Sequence, residues 1–330
     1  MSVEELLNEA VKSYMEEKIY DTVMYLETVL EIEEGNLKAL TMLSRIYTDM
    51  GLYDDALKYS EISYKKYSDN LEVLFDMGYL NQALGKRKKA LSFYEEYVRR
   101  EENYHVLLNM GLCHMEMKHY KKALSIIDKA IIKNTSNSEG YMDKAECLVR
   151  MKEFDKAMKI YEERLQSKEN NIDEYYIYMR MGDLENMRGD IEEAIKYYNI
   201  AINFEDAQEF VYENFYEMLL KENKRDEIEL LLINFANSGI EKEKILNMEG
   251  RYASYIKDFK RAEKVCDKLL ILNPENPMHY FNSAYVREMQ EKFEEAVEFL
   301  EKGKKYITDE EFLKNTEKRI KKLKKGKKKK

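Results

Sequence analysis

Apolar and polar positions follow one another along this chain with a helical rhythm, not an extended one. In LEVLFDMGYLNQALGKRKKALSFYEEYVRREEN, residues 71 to 103, Leu74, Met77, Gly78 and Asn81 fall at i, i+3, i+4 and i+7, the spacing of one helix face. Gly85 can stop that helix with a positive φ. Ala90, Leu91, Phe93, Tyr94, Tyr97 and Val98 then give a second helix its apolar side. The pattern predicts a helix hairpin, and it recurs. One ladder reads Ala10, Ser44, Gly78, Gly111, Ala145, Gly182, Tyr216, Gly250, Ala284; a second, twelve residues downstream, reads Thr22, Ala56, Ala90, Ala123, Ala157, Ala194, Ile228, Ala262, Ala296. Their spacing is 34 residues, with single exceptions of 33 and 37. A hairpin of this size cannot bury its own apolar side, so the period predicts stacked neighbours in one all-α solenoid. Small residues at Gly78 and Ala90 predict close approach of the two helices.

On these positions the chain resembles tetratricopeptide-repeat proteins. Leu74, Met77, Gly78, Ala90 and Tyr94 in the third unit, and Tyr280, Ala284, Phe293 and Ala296 in the last, stand where units of that family carry their bulky, small and aromatic residues. The resemblance implies a right-handed superhelix of about nine hairpins over residues 1–310, a C-terminal capping helix over 311–325, and a lysine-rich disordered tail over 326–330. The family's unit-closing proline appears only as Pro274. The seventh unit, 209–239, departs furthest: it places Tyr216, Ile228 and Phe235 where small residues are expected, between extra residues at 172–174 and 240–242. Wider helix spacing is expected there, with a local change in superhelix pitch or a hinge. Ser2 with Glu5 and Thr308 with Glu311 read as capping boxes for the first helix and the added last one, in which Phe312, Thr316, Ile320 and Leu323 form a narrow apolar stripe.

Composition agrees with a soluble helical protein: 44% hydrophobic, 36% charged, 2 Pro and 12 Gly in 330 residues. Charge is uneven. Residues 318–330 hold ten basic side chains and no acidic one, which leaves −19 on residues 1–317 against −9 for the whole chain. An acidic body repels phosphates, so the array itself is not read as a nucleic-acid cradle. Cys113, Cys147 and Cys266 make no CxxC pair, and the N-terminal stretch has no apolar signal core. These point to a cytoplasmic protein. No nucleophile elbow, phosphate-binding glycine loop or HExxH occurs, so a non-catalytic protein without a cofactor is expected.

The candidate binding surface is the side of each first helix turned away from its own second helix, which in the resembled family lines the concave wall and holds partner segments. In the third unit it carries Phe75 and Tyr79; further along it carries Leu112 and Met115, Met142, then Tyr176, Met179 and Met187. Later units add Arg251 and Tyr255, then Phe281, Tyr285 and Met289. Residues of these types at helical spacing also serve as core; as a set they are read as an adaptable, methionine-rich strip for another protein. Lys38, Arg45 and Asn109 approach the family's clamp for acidic C-terminal peptides, but Thr41, Asp76 and Tyr79 interrupt it. The expected partner is therefore an apolar, basic peptide or helix. His105, Cys113, His114 and His119 match no zinc spacing and are read as packed or surface residues, leaving no metal site. Finally, Lys321, Lys322, Lys324, Lys325, Lys327, Lys328, Lys329 and Lys330 offer an alternative function, docking on RNA, a ribonucleoprotein or another anionic surface.

Overall fold

The computed structural model describes residues 1–167, 172–236 and 241–326. Nineteen helices and no strand occur among the described residues, an all-α helical-repeat fold. The chain divides into two compact units, Met1–Asp190 and Ile191–Lys330. In the first, hairpins α1 (Val3–Met15)/α2 (Ile19–Ile32), α3 (Leu37–Asp49)/α4 (Tyr53–Lys66), α5 (Leu71–Ala83)/α6 (Arg87–Val98), α7 (Tyr104–Glu116)/α8 (Tyr120–Lys133) and α9 (Glu139–Arg150)/α10 (Phe154–Gln166) precede α11 (Glu174–Arg188). The second opens with α12 (Ile191–Ile202) and continues as α13 (Glu209–Lys221)/α14 (Arg225–Ala236), α15 (Lys242–Tyr255)/α16 (Phe259–Leu272), α17 (Pro277–Met289)/α18 (Phe293–Lys304) and α19 (Glu310–Gly326).

Local chemistry sets the helix ends. Asn36, Asn70, Asn103 and Asn276 cap α3, α5, α7 and α17, each accepting a backbone N–H in its first turn. Ser2 and Glu5 form the expected capping box. At the other end of the chain the cap is Asp309, not Thr308: the Asp309 carboxylate accepts the Phe312 N–H at 2.6 Å, because the helix starts one residue later than the Thr308–Glu311 reading requires. Each turn joining a first helix to a second passes through the left-handed region. The residues are Glu17, Gly51, Gly85, Lys118, Lys152, Gly189, Asn223, Lys257 and Glu291, a third ladder with the spacing of the other two. Only three are glycine, and a side chain in this region costs about 1 kcal/mol or more. Replacing Lys118 and Lys152 by glycine is expected to raise stability by about 1 kcal/mol in total, after the entropy glycine adds to the unfolded chain. A urea midpoint unchanged or lowered would contradict this.

The small-residue ladders lie in the core. A Cβ added at Gly78 would sit 2.3 Å from Cε1 of Tyr94, and one at Gly111 would sit 2.6 Å from Cγ1 of Ile127. The room at Gly78 is therefore taken by a ring of the second helix, not by closer backbones alone. Tyr94 is fully buried, and its hydroxyl donates to Gln82 Oε1 at 3.0 Å. In the seventh repeat Tyr216, Ile228 and Phe235 are all buried, and α13 and α14 are more loosely apposed than α15 with α16 or α17 with α18. Larger side chains fill the interval: Tyr212 meets Phe235 edge to face with ring centroids 4.6 Å apart, and the Tyr216 hydroxyl donates to the Met248 carbonyl at 2.8 Å. At the C-terminal end, α19 lays Phe312, Ile320 and Leu323 against the last hairpin, with Phe312 stacked on Phe281 at 4.8 Å.

Candidate functional site

Stacking of neighbouring hairpins places first helices side by side, so one face of each contributes to a common wall. In residues 1–190 a groove of about 410 Å³ runs across α3, α5, α7 and the start of α9. Phe75 and Tyr79 lie in it one turn apart, rings near parallel with centroids 6.4 Å apart. Phe75 is half-buried, and Tyr79 is 40% exposed. Around these rings the groove is acidic, with Asp49, Glu72, Asp76 and Glu139 in its lining against the single cation Arg45, which pairs with Glu72 at 3.0 Å.

Asp76, Asn109 and Asp143 occupy one register on successive first helices, 33 and 34 residues apart. Neither carboxylate of this column has an ion-pair or hydrogen-bond partner among the described residues. Burial pushes the Asp76 carboxyl up to about 7, with the charge of Glu72 adding to the effect and Arg45 opposing it. Burial likewise pushes Asp143 up to about 7, reinforced by Glu139 and Glu146. The neighbouring Glu146, by contrast, is engaged: Arg180 of α11 reaches across to it, and Arg150 donates to it at 2.7 Å. The wall thus pairs some of its carboxylates and leaves two with no direct ion-pair or hydrogen-bond partner among the described residues.

The other expected surface residues separate by depth. In the first unit Leu112, Met142 and Tyr176 are half-buried, Met187 is exposed, and Met115 and Met179 are buried. The latter two are enclosed between helices because the strip lies nearer the contact between successive first helices than helical spacing alone reveals. In the second unit Arg251, Tyr255, Tyr285 and Met289 are exposed, whereas Phe281 is covered by Phe312. Arg251, Tyr255 and Tyr285 come together along a groove of about 780 Å³ formed by α13, α15 and α17 over the inner side of α16. Arg251 pairs there with Glu217 at 2.7 Å, and the amides of Asn247 and Asn282 line the same groove. Lys321, Lys322, Lys324 and Lys325 belong to α19, and Lys324 is tied to Glu301 at 2.9 Å. Lys327, Lys328, Lys329 and Lys330 lie outside the described residues. Cys113 and His114 are buried in the core, and His114 faces His119 at 5.9 Å between ring centroids.

Sequence reasoning met Asp76 only as a departure from the clamp pattern and did not single out Asp143. Their recurrence in one register was visible; their lack of a direct ion-pair partner requires the packing.

Helix hairpins at a 34-residue period, stacked so that first helices share a wall with aromatic, aliphatic and acidic side chains, define a helical-repeat protein of the interaction-scaffold class. The comparisons specify which. Residues 85–163 match the family model described as anaphase-promoting complex, cyclosome, subunit 3, and residues 247–308 match a tetratricopeptide-repeat model. The chain is a tetratricopeptide-repeat protein. In three dimensions it is similar to a tetratricopeptide-repeat protein from Parabacteroides merdae ATCC 43184, with TM-score 0.62 and 19% identity over 74% of this chain and 96% of that one. It is also similar to PilW, a widely conserved type IV pilus biogenesis factor, with TM-score 0.55 and 12% identity over 63% of this chain and 96% of that one. No curated protein matches it in sequence. No helix among the described residues is long and apolar enough to cross a membrane.

Proposed function

We propose that the inner wall of residues 1–190 binds an apolar segment of a protein partner that carries a lysine or arginine. The observation behind this reading is the pair Asp76 and Asp143, half-buried carboxylates with no direct ion-pair or hydrogen-bond partner among the described residues, in a wall that also presents Phe75 and Tyr79. Perturbed, unpartnered ionisable groups in a cleft mark functional sites more often than structural ones. A cation set beside either carboxylate relieves the cost of burying its charge, while the rings take the flanking apolar side chains. Burying three or four apolar anchors at about 1.5–3 kcal/mol each, less the costs of association, corresponds to roughly micromolar affinity. The groove of residues 191–330, with the Asn247 and Asn282 amides beside Tyr255 and Tyr285, suits the backbone of an extended stretch and is read as a second contact region.

Binding to an array of 15-residue apolar peptides differing only in lysine, glutamine or glutamate at the central positions tests this. The lysine set is expected to bind best. Its affinity should rise from pH 5.5 to 8, because a bound cation favours the ionised carboxylates, and should fall about tenfold or more in Asp76→Asn/Asp143→Asn. Equal binding of the glutamate set, or affinity independent of pH, would contradict the proposal.

A further inference from the structure

We infer that α19 presents a second interaction surface, a stripe of five lysines that seats the phosphate backbone of double-stranded DNA. The surface is separate from the inner wall and does not depend on the reading given for it. At 100° per residue, Lys314, Lys318, Lys321 and Lys325 follow one line along α19 with Lys322 beside it, about opposite the Phe312, Thr316, Ile320 and Leu323 stripe that packs on the last hairpin. All five lysines are exposed, and none makes an ion pair or hydrogen bond among the described residues.

The neighbouring cations are used differently. Arg319 is bound to Glu288 at 2.7 Å, Lys324 to Glu301 at 2.9 Å, and Lys304 of α18 to Glu317 at 2.9 Å. These pairs fasten α19 to the body, whereas the stripe makes no ion pair or hydrogen bond among the described residues and carries its charge to solvent. The acidic residues of the first turn, Glu310 and Glu311, precede it.

Dimensions and chemistry select the partner. From Lys314 to Lys325 the helix rises about 16 Å at about 1.5 Å per residue. At about 3.4 Å per base pair along the axis the stripe spans about five base pairs, and because each strand winds around that axis its lysines meet phosphates of both strands across a groove. Lys327–Lys330 extend the basic run in sequence. The stripe holds no aromatic ring or arginine on which an unstacked base would rest, which favours the outside of a duplex over a single strand. Insertion into a bilayer needs an apolar helix face at the surface, and here that face is packed against α17 and α18.

Fluorescence anisotropy of a 20-base-pair DNA duplex with the full chain, from 50 to 200 mM salt, tests the assignment. Micromolar binding is expected at 50 mM, with a linear fall of log K against log salt. Lys314→Gln/Lys318→Gln/Lys321→Gln/Lys325→Gln is expected to reduce the slope by roughly 3 to 4, at about 0.9 for each phosphate that is no longer neutralised, and to weaken binding at 50 mM more than tenfold. Its circular dichroism and melting temperature should stay close to those of the wild type, since the lysines make no ion pair or hydrogen bond with the body among the described residues. A chain ending at residue 326 separates the contribution of the last four lysines. The assignment is overturned if the quadruple variant keeps the wild-type slope, if only the shortened chain loses binding, or if single-stranded RNA or phosphatidylserine vesicles bind more tightly than the duplex.

Discussion

Gly78→Leu is expected to destabilise the chain by about 3 kcal/mol or more and to open the hairpins α5–α6 and α7–α8 before the rest. A Cβ at this position would overlap the Tyr94 ring, 2.3 Å from its nearest atom, far inside van der Waals contact. The ring cannot withdraw. It is fully buried, hydrogen-bonded through its hydroxyl to Gln82, and in contact with Phe75 at 6.4 Å between centroids. Leucine therefore drives α5 and α6 apart, an overpacking cost at the upper end of its usual range. In a repeat array each hairpin is stabilised mainly by its neighbours, so the disturbance spreads locally before it spreads globally. Hydrogen exchange should show reduced protection over residues 71–133 at urea concentrations where other segments are still protected. Gly78→Ala/Tyr94→Leu, which removes the ring that collides, should recover most of the stability. A uniform drop in protection, or no rescue, would show that this contact is not what holds the hairpin.

Asp76→Asn/Asp143→Asn is expected to make the protein more stable at pH 8 and to remove a pH dependence between about 4 and 7. Each carboxyl ordinarily titrates at 3.8 and is raised to about 7 by burial. Between those values the folded chain holds protons that the unfolded chain has released, so stability falls as pH rises through the window. Above 7 the folded state bears the full cost, up to about 4 kcal/mol per group from the shift alone and about 2 kcal/mol once partial exposure to water is allowed for. The difference in unfolding free energy between variant and wild type should be near zero at pH 4 and reach about 3–4 kcal/mol at pH 8. A difference that does not change with pH would mean the carboxylates are well solvated or paired in solution. The same substitutions should weaken a cationic partner, so the site trades stability for binding.

Most of the fold was legible because it is written nine times. The small-residue ladders gave the helix hairpins, and Gly85 announced one of the left-handed turn residues. Lys118, Lys152 and Lys257 hold the same conformation with nothing in their chemistry to declare it; only their register does. The depth of the candidate strip was less legible. Whether Met179 or Tyr79 faces outward depends on how closely successive first helices approach, and Phe281 is covered by a helix from outside the repeats. The acidic column was hidden for another reason: in a chain with 64 acidic residues, a carboxylate without a direct partner is apparent only when every neighbour has been placed.

The central claim is that two half-buried aspartates of the inner wall have no ion-pair or hydrogen-bond partner among the described residues and are raised well above the ordinary carboxylate range. Carbon-13 NMR titration of the side-chain carboxyls of Asp76 and Asp143 in the isolated protein tests it directly. Midpoints near 7 for both, moving toward ordinary aspartate values when a lysine-bearing peptide binds, are the predicted result. Midpoints near 4 in the isolated protein would contradict the account.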